Sequence, residues 1–182
     1  MVHIEILLFV LGSFFGLEDA RIAAEKTNVS LFPETQVIEI VHEGLFAIIQ
    51  SEDDVPIVLG QWEDLLNWEE REMTWADNLN VFPVKTLTFE SIDTNPQLKL
   101  QFRYSDKKDL QALGIEYNAE KHQFFIDHIQ QMNLKTDDGF LEGSYWVFDA
   151  DNKFSYSLNP FQDMPKEMQK NIQSIKDLLD EE

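Results

Sequence analysis

Apolar residues recur along this chain in two spacings, every second residue or roughly every 3.6 residues, and the switches between them mark out its predicted elements. Residues 2–11 form an apolar-rich run that reads as a buried strand. Residues 17–26 read as a short helix, favoured by Ala20, Ala23 and Ala24 and ending near Asn28. Residues 36–42 and 45–50 are β-rich runs joined by Glu43-Gly44, the pattern of a two-residue hairpin, and residues 55–59 read as a further short strand. The stretch 61–79 predicts a helix. Strands return at 84–92 and 97–104 around Asp93-Thr94-Asn95-Pro96, the second placing Leu98, Leu100, Phe102 and Tyr104 on one face.

Further on, Ser105 can cap a short helix that stops at Gly114, and Asn118 can cap a longer one to Asn133 with Phe125, Ile129 and Met132 on one side. The alternative for 114–127 is a hairpin turning at residues 118–121, since both flanks tolerate strands. Residues 140–148 and 153–158 predict a hairpin around Asp149-Ala150-Asp151-Asn152. Asp163 before Pro165 starts a closing helix with Met168, Ile172, Ile175 and Leu179 as its apolar stripe. Hairpins interrupted by helices predict one α+β domain over residues 1–182, mainly antiparallel sheet with four to five packed helices.

Charge changes the picture more than any motif. Asp and Glu number 34 against 14 Lys and Arg, a net charge of −20 over 182 residues. Phosphate chains and anionic bilayers are gripped by Lys and Arg that displace counterions, so neither nucleic acid nor a membrane surface is an expected partner. Hydrophobic residues make up 43% of the chain and aromatics 12%, which sets it apart from acidic disordered chains. With no cysteine, disulfides, thiolate metal sites and cysteine nucleophiles are excluded. In the first segment Glu5 precedes the apolar run and Arg21 is the first Lys or Arg, a charge order unlike a signal peptide, and the run is shorter than the roughly 20 residues of a membrane span. The expected location is cytoplasmic.

Three of the four tryptophans fall in 61–79. Wound as a helix, Trp62, Leu65, Leu66, Trp68, Met73, Trp75 and Ala76 share one half of the cylinder, and Glu69 and Glu72 lie within that half. Two carboxylates buried side by side raise the pKa of at least one, so Glu69 and Glu72 are the candidate general acid or cation-holding pair. The plainer expectation is that the indoles pack while both carboxylates reach water. In a third reading Trp62, Trp68 and Trp75 form an aromatic anchor ringed by Glu63, Asp64 and Glu70, an arrangement suited to an interface.

Asp149-Ala150-Asp151-Asn152-Lys153 opens like a calcium loop, but Phe154 and Pro160 stand where an EF-hand needs Gly and Glu, so a turn is expected. His3, His42, His122 and His128 show no zinc-ligand spacing, and no phosphate-binding glycine loop or serine-hydrolase motif is present; no metal or cofactor is expected. These features point first to a non-enzymatic interaction module for a basic protein, of the inhibitor, immunity-protein or nucleic-acid-mimic type. The alternatives are a ligand-binding protein or enzyme using the carboxylates of 61–79, and an accessory or scaffold domain.

Overall fold

The computed structural model describes residues 14–15, 20–90 and 95–181. The predicted strand at 2–11 and the Asp93-Thr94 part of the turn before Pro96 lie outside these residues. These residues are mostly antiparallel sheet: ten strands in two sheets.

Strand β1 (Ile22–Phe32) and strand β2 (Val37–Ile48) form one long hairpin about a turn at 33–36, with Phe32 opposite Val37 and Ile22 opposite Ala47. The two runs predicted as separate strands around Glu43-Gly44 are thus a single strand. Gly44, at φ +64°, bends it without breaking the pairing, because Ala24↔Leu45 and Lys26↔Glu43 keep one register on either side. What changes is the inward face. Thr27, Val29, Leu31, Ile38, Ile40 and His42 are buried on one side of the bend and Ile22, Ala24, Leu45 and Ala47 on the other, so the alternation of both strands shifts by one residue there. Of the segment 17–26 predicted as a helix, residues 22–26 lie in β1, and 17–19 lie outside the described residues.

Strand β3 (Val84–Glu90) pairs with strand β4 (Gln97–Arg103), and β4 pairs with β2. The predicted face of Leu98, Leu100, Phe102 and Tyr104 is buried. Strands β9 (Phe154–Leu158) and β10 (Ile172–Ser174) add to β1 and to the end of β2, completing a six-stranded sheet with the path β3-β4-β2-β1-β9. The second sheet, β5-β6-β8-β7, is built from β5 (Glu116–Asn118), β6 (Gln123–Asp127), β7 (Phe140–Glu142) and β8 (Tyr145–Asp149). The hairpin alternative over 114–127 therefore prevails over the helix to Asn133. Residues 150–153 carry the chain from one sheet to the other rather than closing a hairpin, and Phe148 stacks on Phe154 at 4.3 Å across that passage.

The helix α1 (Asp54–Leu66) starts earlier than the sequence predicts, and its buried positions Asp54, Val58, Trp62 and Leu65 make a helical stripe. Pro56 fits because the first turn leaves its N–H groups without intrahelical partners. Asn67 ends the helix, its side-chain amide donating to the Glu63 carbonyl at 2.9 Å. The closing segment breaks into a single turn α2 (Lys166–Gln169), strand β10 and helix α3 (Ile175–Asp180) instead of one amphipathic helix. The α+β expectation with four to five packed helices is thereby corrected: among the described residues only α1 and the 3-10 segment 107–113 reach seven residues, and the remainder are shorter α or 3-10 segments, the latter at 77–81 and 130–132. The physical reason is that segments with helical spacing are held extended by strand partners distant in sequence. One buried cluster runs through both sheets and α1, joining Trp62, Leu100 and Phe102 to Phe124 and Phe148.

Candidate functional site

The Trp-rich segment does not form the helical face predicted for it. Trp62 is buried on α1, its ring edge-on to Phe89 at 5.3 Å, and its indole N–H has no hydrogen-bond partner among the described residues. Beyond Asn67 the chain turns through 67–72, with Glu72 at φ +50° and the Met73 N–H donating to the Trp68 carbonyl at 3.0 Å. That turn folds Trp75 back onto Trp68 at 5.6 Å, and both rings lie against Phe15. They are half-buried packing elements. Glu69, Glu70 and Glu72 point to solvent, so the desolvation that would make Glu69 and Glu72 an acid pair is absent. Glu63 and Asp64 each lie 3.8 Å from Arg71, a surface ion pair of small energetic weight. Trp62 and Glu63 also line an open groove of ≈ 910 Å³ between α1 and α3, with Leu59, Leu66, Lys176 and Leu179.

Other polar and charged side chains are committed to holding the fold. The Asp54 carboxylate accepts from the Gln50 and Ser51 N–H groups and meets Arg21 at 2.7 Å; these contacts, the Gln50 bond foremost, lower its pKa despite burial. Asp149 accepts from the Asp151 N–H at 2.8 Å, closing a turn. Asp151 lies 2.9 Å from His122 Nε2, whose Nδ1 is 3.1 Å from the Tyr117 hydroxyl, tying the β5–β6 turn to the passage between sheets. His42 is fully buried beside Phe14, its Nδ1 3.0 Å from Thr27 Oγ1 and its Nε2 without a partner among the described residues; burial pulls its pKa down to about 3.

Among the described residues, the surface that combines exposed aromatic side chains with carboxylates is the outer face of the second sheet. Alternation sends Phe124, Ile126 and Phe148 into the shared core and turns the intervening residues outward. Cross-strand register then aligns Glu116, Phe125, Val147 and Phe140 in one row, and Asp127, Tyr145 and Glu142 in the next. Phe140 is 56% and Tyr145 43% exposed, while Val147 is only 1% exposed yet lies outside the shared core cluster. A small apolar layer therefore exists on this face, with the Phe125 and Tyr145 rings 6.1 Å apart. Tyr145 has a carboxylate residue directly opposite on each neighbouring strand, and the Lys121 ammonium sits 5.9 Å from the Phe125 ring centre. Hydrophobic spacing along the sequence did not single out this face. Its signal was present in Tyr145-Trp146-Val147-Phe148, which is apolar at every position and so supplies both faces of a sheet, only one of which the core covers.

The sequence matches no protein-family model, no curated protein and no solved structure. Among the described residues no helix is long and apolar enough to cross a membrane.

Proposed function

We propose that this protein is a cytoplasmic, non-enzymatic interaction module that binds a basic protein, with the outer face of the second sheet as its anchor. The observation that carries the reading is the row Asp127, Tyr145, Glu142 beside the row Phe125, Val147, Phe140: exposed aromatics with carboxylates in register on both sides. Aromatic anchors supply the desolvated centre of an interface, and the net charge of −20 steers a positive partner towards it. The enzyme reading has less support, because Glu69 and Glu72 are both exposed.

The test is affinity capture from host lysate at moderate salt, with a charge-matched acidic protein as control, comparing the wild type with the Phe140→Ser/Tyr145→Ser double variant. One basic protein retained by the wild type and lost from the double variant is the expected result. Loss with Trp68→Ala but not with the double variant would move the anchor to the Trp68–Trp75 pair. Recovery of only what the control recovers would overturn the proposal.

A further inference from the structure

The second sheet also has an edge that bears on how such a partner would bind. Strand β7 ends the sheet, paired with β8 alone among the described residues, and all three of its side chains are exposed, Leu141 at 47%. Sheet edges of this kind template a further strand unless they are blocked. The outer edge of β9 is blocked: residues 135–138 lie along it, with Lys135 and Ser157 exchanging two backbone hydrogen bonds of 2.9 Å and Thr136 and Asp138 bonding to Ser155. The edge strand β3 carries Lys85, a residue that discourages pairing. Phe140-Leu141-Glu142 has neither Lys nor Pro and no covering segment among the described residues.

Resting on the interaction reading above, we infer that a basic extended segment of the partner adds to β7 as a fifth strand, with cationic and apolar residues alternating. Phe140 and Glu142 face the outer surface, and Leu141 faces the other side with Trp146 and Ile126. Residues of the incoming strand on the outer side meet Glu142 and the aromatic ring of Phe140, an environment for Lys or Arg; those on the opposite side meet Leu141, an environment for Val, Ile or Leu. Lys121 over Phe125 is an ammonium of this chain already resting on the same face. Charge sets the choice of occupant. A second copy would bring another Glu142 and another −20 to the edge, whereas a basic strand neutralises both.

The experiment uses the full chain and three peptides of one charge: alternating Arg-Val-Arg-Val-Arg, the block isomer Arg-Arg-Arg-Val-Val, and the alternating peptide N-methylated at its valines. Binding is measured by calorimetry, and hydrogen exchange is followed at the amides of 140–142. Strand addition predicts that the alternating peptide binds about tenfold more tightly than the other two and slows exchange in β7. Equal binding of the N-methylated peptide with unchanged exchange would overturn strand addition. If that equal binding is still abolished by Phe140→Ser/Tyr145→Ser, the acidic aromatic face stands without it. If all three peptides bind the wild type and the double variant alike, both readings fall.

Discussion

His42 shows what one buried titratable side chain does to this protein. In the unfolded chain its imidazole takes a proton near the usual 6.5, but burial holds it neutral in the fold until about pH 3. Between those values the unfolded state carries the extra proton. The His42 contribution to stability is therefore complete above pH 6.5 and is lost progressively as the pH falls towards 3. At pH 5 the loss comes to about 2 kcal/mol, taking roughly 1.4 kcal/mol per pH unit below 6.5. Urea unfolding of the wild type and His42→Leu at pH 7.5 and 5 checks this: the stability drop should be smaller in the variant by that amount, since the carboxylates titrate in both. Gly139 presents a steric constraint instead. A methyl group there would lie 2.5 Å from the Phe148 ring, which is buried and stacked on Phe154, so Gly139→Ala should destabilise by about 1–3 kcal/mol in the same assay.

At the scale of elements, two short features decide the course of the backbone. Gly44 holds φ +64° in the middle of β2, and a side chain there would face both that backbone conformation and the Glu25 side chain, 2.7 Å away at its nearest atom. Gly44→Ala should cost about 1–3 kcal/mol and loosen the hairpin, seen as faster amide exchange at 22–26 and 43–47. The 3-10 segment 107–113 is opened by Asp106, whose carboxylate accepts from the Lys108 N–H at 2.9 Å, while Asp109 accepts from the Ser105 and Asp106 N–H groups. Asp106→Ala should lose about 1 kcal/mol by removing one half of that reciprocal pair. The sequence signals for this segment were nearly right: it stops at Gly114 in the left-handed conformation, and only the cap lies one residue later than Ser105. The Glu43-Gly44 signal misled because glycine serves a positive φ equally well within a strand and in a hairpin turn.

Over the whole molecule, under the proposed interaction, the net charge of −20 would set the range at which a basic partner first responds, and salt would shorten that range. Association with the captured partner should slow steeply between low and physiological ionic strength, while dissociation, governed by the aromatic contacts, changes less; stopped-flow mixing separates the two. The sequence by itself determined this charge, the absence of cysteine, the β3–β4 pair with its buried face, and the short capped segment ending at Gly114. Each depends on composition or on neighbours a few residues apart. Tertiary structure alone decided that 37–48 is one strand, that 61–79 is a helix only to Leu66, and that β8 and β9 belong to different sheets. It also decided which side of Tyr145-Trp146-Val147-Phe148 meets the core. Those outcomes turn on partners far along the chain, such as β9 against β1 and Phe154 against Phe148, and local periodicity carries no record of what a face will be packed against.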